Sequence, residues 1–485
     1  MRMKAHILSV ALAAIPVLAC AAATTTDAPR DAFGAASPLL SACRLPDVQA
    51  QARCGSFDVP ENPDRPDGRH LAIRVAVMPA RNAPAQRDPI LIFSGGPGEG
   101  AIALASDVGV QLSELIEDRD ILLIDQRGTG QSAPLPCPLY SERDAAANLV
   151  DLFPPAAILR CLKTLSARAD LTQYSFARFA DDVEHIRRAL GYGPVDAYAL
   201  SFGTRAAQIY MRAYPGSVRT AYLGSVVPAD IATPLQFARA SEPVLDETLD
   251  ACAHDEACHA AFPNLRAETR EIFARLGSGS VRARAPNSDQ DTVLNAGRIA
   301  ERIRTMMYRP RGAANLPWTI HRAWLGDWQP FVDGIVAGAR DADADIDWGL
   351  FFSITCNEDV AFIKEAEIAP AVKDTVLGDF RVRQQQAACA KWPKFSVAPG
   401  YRDAVRSAVP TMIVSGDLDP ATPLSFTEHL APGFSRRVEI VLRGQGHTGW
   451  SDCVADAYRN FVRKGSPDGI ASTCPVTPRP PFKTG

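Results

Sequence analysis

Short apolar runs, each closed by glycine or an acidic residue, recur through the first half of the chain. Leu71, Ile73, Val75 and Val77 alternate with other residues and predict a half-buried strand. Residues 89–93 form a continuous apolar run that ends in glycines, 121–124 a second that ends at Asp125, 195–200 a third and 221–227 a fourth. Runs without alternation are buried on both faces, as in a parallel sheet. Helical spacing lies between them: Phe176, Phe179, Val183, Ile186 and Leu190 repeat on one face, and Gly191 and Gly193 end the segment. Strand and helix in alternation predict βαβ units.

The pattern breaks near residue 228. Residues 229–400 hold amphipathic helical stretches and tryptophans at 318, 324, 328, 348 and 392, with few strand signals. Strand spacing returns at 411–414 and at Val438, Ile440 and Leu442, and a closing helix is expected at about 454–464. An insertion this long is too large for a loop. The expected organisation is a leader at 1–23, a tether and first disulfide loop at 24–60, the first part of an α/β core at 61–228, a helical cap at 229–400, and the rest of the core at 401–485.

The leader has Arg2 and Lys4 before an apolar run from Ile7 to Leu18, then small residues through Ala23. This predicts a secretory signal, too short to be a membrane span. No later stretch has the length and freedom from charge to cross a bilayer. Eleven cysteines bear on where the leader ends. Cys20 follows Val17, Leu18 and Ala19, a sequence similar to a lipoprotein processing site; ordinary cleavage among the alanines near position 22 is the alternative. Ten cysteines remain without Cys20, an even number that in an oxidising compartment implies five disulfides. Sequential pairing gives Cys43–Cys54, Cys137–Cys161, Cys252–Cys258, Cys356–Cys389 and Cys453–Cys474. His254 and His259 near the third pair are weaker grounds for a metal site, so no metal or organic cofactor is expected. The protein is then exported: periplasmic, tethered to the outer membrane, or secreted. The net charge of −4, without basic runs, gives no reason to expect nucleic acid as partner. The 47% hydrophobic content is enough for a large core.

The chemistry concentrates where strands end. Ser201 sits between a strand and a helix, with small Ala199 and Gly203 two positions to either side, as a tight nucleophile turn requires. Gly95 and Gly96 follow the 89–93 strand, and the N–H of one of them, with that of Phe202, is suited to hold an oxyanion. Asp125 and Arg127, after the next strand, are read as braces of their loop. Two acids, Asp417 and Asp419, follow the 411–414 strand. His447 lies in a glycine-flanked loop after the last strand. The chain order serine, acid, histidine is that of α/β-hydrolases. Asp419 is preferred over Asp417 as the acid that orients His447, because it lies slightly past the strand end.

Together these segments resemble the proline iminopeptidase and tripeptidyl aminopeptidase family of α/β-hydrolases, most closely its larger secreted branch with a disulfide-bonded C-terminal region. The resemblance rests on Gly-Gly-Pro-Gly at 95–98, Asp-Gln-Arg-Gly-Thr-Gly at 125–130, Ser-Phe-Gly-Thr at 201–204, Gly-Asp-Leu-Asp-Pro-Ala-Thr-Pro at 416–423 and Gly-His-Thr-Gly at 446–449. Ser94 stands where that family usually has histidine, and Ala199 where it more often has glycine. The resemblance implies a mostly parallel sheet with a helical cap, and cleavage of short peptides from a free N-terminus. An α-ammonium needs carboxylate partners when buried; Glu358, Asp359 and Glu99 are the acids read for that role. Two other readings keep the same residues: a carboxylesterase or lipase-like enzyme, and a binding lipoprotein that has lost catalysis.

Overall fold

The computed structural model describes residues 39–82, 85–141, 144–286 and 288–485. The leader and Cys20 lie outside them. Among the described residues there are eleven strands: β1 Ser41–Cys43, β2 Ala52–Pro60, β3 His70–Met78, β4 Ile90–Phe93, β5 Ile121–Ile124, β6 Val195–Leu200, β7 Val218–Gly224, β8 Arg282–Arg284, β9 Asp291–Val293, β10 Thr411–Gly416 and β11 Arg437–Leu442. Nine form one sheet in the order β1-β2-β3-β5-β4-β6-β7-β10-β11. The first four pair antiparallel, and from β5 to β11 every pair is parallel.

The continuous apolar runs have a direct reason. On β4, Leu91 and Phe93 join one core layer while Ile90 and Ile92 join the other. On β5, Leu122 and Ile124 face the first layer and Ile121 and Leu123 the second. Successive side chains point to opposite faces, and both faces are covered, so no position is free to be polar. The chain leaves β4 for β5 on one side and reaches β6 on the other. Such a reversal opens a crevice at the carboxyl ends of the two strands.

Two differences from the sequence reading stand out. Residues 52–60, read as part of a tether, form β2, with inward positions Phe57 and Val59 buried. The segment between β7 and β10 is helical apart from the β8–β9 hairpin, and it does not form one separate body. Leu245, Leu249, Ile272, Ile303, Leu316, Ile320 and Phe331 share a second core with Ala145 and Leu149. The helix Trp348–Glu358 instead places Leu350, Phe351, Phe352 and Ile354 in the core beneath the main sheet, with Phe153 and Trp392. That helix is buried along its length from Gly349 to Glu358, and its first half is almost wholly apolar. The ten cysteines in the described residues are bonded as Cys43–Cys54, Cys137–Cys161, Cys252–Cys258, Cys356–Cys389 and Cys453–Cys474. No helix among the described residues is long and apolar enough to cross a membrane.

Candidate active site

Ser201 directly follows β6 with φ at +50°, a left-handed backbone that costs a non-glycine residue of order 1–3 kcal/mol. Surrounding contacts hold it there. Its N–H bonds the Gly224 carbonyl at 2.8 Å, and the Thr204 hydroxyl bonds its carbonyl at 2.6 Å. Gly203 packs directly on the loop after β4; a Cβ there would stand 2.3 Å from the Ser94 carbonyl oxygen and 2.4 Å from that of Phe93. This close approach keeps Gly95 and Gly96 on the wall that holds Ser201. Ser94, where the resembled family has histidine, gives its hydroxyl to the Glu99 carbonyl at 2.9 Å and closes the loop on itself.

His447 Nε2 lies 2.8 Å from Ser201 Oγ, and His447 Nδ1 lies 2.8 Å from Asp419 Oδ2. The Asp419 carboxylate is fully buried. Its Oδ1 accepts the N–H groups of Ala421 and Thr422, both at 2.9 Å, and its Oδ2 the Thr422 hydroxyl at 2.7 Å. Burial pushes its pKa up, but the His447 charge and these hydrogen bonds outweigh that and hold it below the usual range. Asp417 takes a different part: its Oδ1 accepts the Gly444 N–H at 2.8 Å, bracing the loop that carries the histidine. Two contacts not read from the sequence fix His447 from behind. Its N–H bonds the Tyr308 carbonyl at 2.9 Å, and the Tyr308 ring lies 4.8 Å from the imidazole. The N–H of Thr448 bonds the Ser225 hydroxyl at 2.8 Å.

Ser201, His447, Gly95, Gly96, Phe202 and Glu99 line one cavity of about 450 Å³. Leu104, Val108, Val227, Phe237, Ile346 and Phe351 make much of its wall apolar. Burial raises the Glu99 pKa to about 7, helped by the charges of Asp345 and Asp107. Asp107 lines the same cavity.

Glu358 and Asp359 are not on this wall, which corrects their reading as acids that meet a substrate amine. Both are fully buried and already partnered. Glu358 accepts the Phe176 N–H at 3.0 Å and the Tyr401 hydroxyl. Asp359 accepts Arg205 at 2.5 Å and the Thr233 N–H at 2.9 Å. They tie the helix Trp348–Glu358 to the core. Asp125 accepts the N–H groups of Ile102 and Gln131, and Arg127 forms a two-pronged pair with Asp182, both bonds at 2.7 Å; each holds a loop and neither touches the cavity.

The TAP-like protein family model matches residues 374–474. The serine protease Hip1 of Mycobacterium tuberculosis is 26% identical over 437 residues, 79% of each chain. Tripeptidyl aminopeptidase of Streptomyces lividans is 22% identical over 467 residues, 88% of this chain and 85% of that protein. The putative hydrolase YuaR of Escherichia coli is 27% identical over 221 residues, a match that spans 42% of this chain and less than half, 43%, of that protein. The chain is an α/β-hydrolase with a TAP-like C-terminal region, homologous to the Hip1 serine protease and to tripeptidyl aminopeptidase.

Proposed function

We propose that this hydrolase is a serine aminopeptidase that releases residues from the free N-terminus of short peptides through an acyl-enzyme on Ser201. The observation that carries the reading is the unbroken hydrogen-bonded line from Ser201 through His447 to Asp419, open to the cavity at the serine end. His447 Nε2 takes the Ser201 proton as Oγ attacks the scissile carbonyl carbon. Asp419 holds the proton on Nδ1 and stabilises the imidazolium. Negative charge on the carbonyl oxygen falls to the N–H of Phe202 and of Gly95 or Gly96. The imidazolium then protonates the departing amine, and water repeats the sequence on the ester.

Glu99 supports the free-amine preference. A carboxyl held near neutrality by burial and two neighbouring carboxylates gains from an ammonium beside it. The test has two arms. A fluorophosphonate probe should label the protein and not the Ser201→Ala variant. Turnover of a tripeptidyl amide should exceed that of its N-acetylated twin and of a simple acyl ester. Equal rates on the acetylated peptide would remove the aminopeptidase reading, and activity on the ester alone would replace it with an esterase.

Export supports the same picture, since five disulfides form in an oxidising compartment. Mass spectrometry of the mature N-terminus separates a lipid-bearing Cys20 from a cut near residue 22.

A further inference from the structure

A recess of about 290 Å³ opens next to the catalytic cavity, and Arg304 and Arg381 line both. Helix Ala296–Met306 adds Arg298 and Arg302 to its wall. Two carboxylates face these four guanidinium groups. Glu301 pairs with Arg304 at 2.5 and 2.9 Å and with Arg381 at 3.1 Å. Asp343 is taken up by the N–H groups of Leu139 and Tyr140 and the Trp348 indole. Arg298 gives its Nε–H to the Asn148 carbonyl. The Nε–H groups of Arg302 and Arg381 are buried without an acceptor among the described residues.

This charge balance is costly for an isolated protein. Burial, with the repulsion of neighbouring arginines, draws the Arg298 pKa down to about 10, and burial likewise lowers those of Arg302 and Arg381. Cations left short of partners in a recess are relieved by an anion, and guanidinium forks match a carboxylate in shape. The recess also stands near the chemistry. Arg304 donates to the Tyr308 hydroxyl, and the Tyr308 ring packs on His447, the group that hands a proton to the departing amine.

We infer that this recess is an anion subsite that takes a carboxylate of the substrate, either the C-terminal carboxylate of a short peptide or an acidic side chain. The inference deepens the aminopeptidase reading and depends on it for the ligand. A carboxylate a residue or two beyond the cut bond would reach the arginines while the free amine lies toward Glu99. Where the ligand is the C-terminal carboxylate, the subsite favours short peptides over long chains.

The test measures binding to the uncleaving Ser201→Ala protein. Tetra-alanine as free acid is compared with its C-terminal amide, and the amide with an amide that carries one glutamate. A charge-assisted pair lost with the carboxylate predicts about ten- to a hundredfold tighter binding of one carboxylate form. The form that gains identifies the source. Arg302→Gln should bring the ratio toward one, and Arg302→Lys should restore part of it. Equal affinity for all three peptides overturns the inference. If no peptide binds at all, the peptidase reading fails instead; succinate against succinamide then tests the subsite alone, and equal binding of those two overturns it.

Discussion

Exchanging Asp419 for asparagine tests the site with almost no change in shape. Two backbone N–H groups, from Ala421 and Thr422, point at Oδ1. They oblige the new amide to keep its carbonyl oxygen there and to turn its NH2 toward the Oδ2 position. That position faces His447 Nδ1 at 2.8 Å and the Thr422 hydroxyl. The amide now donates to Nδ1, so the imidazole must carry its proton on Nε2. Nε2 then has no lone pair for the Ser201 proton 2.8 Å away. In a serine protease triad this inversion costs about 10⁴ in kcat, or about 5.5 kcal/mol of transition-state stabilisation. Since Asp419 is not on the cavity wall, KM should change little. Asp417→Asn keeps an oxygen for the Gly444 N–H and loses only the charge that faces Arg443 at 3.8 Å, so it should keep kcat within about tenfold and cost at most about 1 kcal/mol of stability. The assay is steady-state kinetics on a tripeptidyl amide, with fluorophosphonate titration to count folded sites. If Asp419→Asn keeps more than a tenth of the wild-type kcat, or Asp417→Asn falls as far, the assignment of the acid is wrong.

Glu99 carries a trade between stability and binding. Its folded pKa of about 7 lies above its ordinary value of 4.5, so the folded state holds the proton more tightly and stability is lost as pH rises between the two. Glu99→Gln should therefore gain stability over wild type progressively across that window, by up to about 3 kcal/mol and read as a rising Tm difference, while KM for free-amine peptides rises about tenfold at pH 8; an unchanged KM would exclude it from the amine site. Gly203→Ala forces a methyl against two carbonyl oxygens and should cost on the order of 3 kcal/mol, read as a lower denaturant midpoint with loss of probe labelling. Removing Cys356–Cys389, which spans 33 residues, should cost about 3.7 kcal/mol by loop-closure entropy, read from urea unfolding of the double alanine variant. Ser225→Ala leaves the Thr448 N–H without its acceptor and should lower kcat about ten- to a hundredfold with little change in KM.

The residues of the site were legible because each belongs to a local pattern: a strand, a turn of small residues, then a helix or the next strand. Ser201 and Asp419 follow apolar runs buried on both faces, the mark of central strands, and His447 follows the alternating edge strand β11, whose Val438, Ile440 and Leu442 face the core. The strand at 52–60 was missed because a cysteine, a glycine and a proline punctuate it, and those residues usually mark loops. Its alternation of Phe57 and Val59 with polar neighbours was the available signal. Glu358 and Asp359 were misread because sequence shows a charge but not what surrounds it. The run from 348 to 354, apolar but for Gly349 and Ser353, could have warned that the next acids enter a core. Tyr308 and the arginine recess have no local signature, since Arg298, Arg302 and Arg304 meet Arg381 across about 80 residues of chain.

What joins these distant segments is the close contact of backbones at one edge of the sheet. Gly416, at the end of β10, lies against the histidine loop; a Cβ would stand 2.2 Å from the Gly446 carbonyl oxygen and 2.4 Å from that of Gln445. Asp419 and His447 therefore start from strands already in van der Waals contact, and a 2.8 Å hydrogen bond between them needs no long side chain. Ser225 extends the same contact. Its N–H bonds Val414 of β10 at 2.8 Å while its hydroxyl takes the Thr448 N–H. Ser201, Ser225 and Thr448 all hold positive φ, near +50°. Three such residues cost several kcal/mol together, and the main sheet is rigid enough to sustain them because both its faces are buried. The depth of the core is thus a condition of the chemistry: a thinner sheet would relax the turns, and the serine would drift from the imidazole.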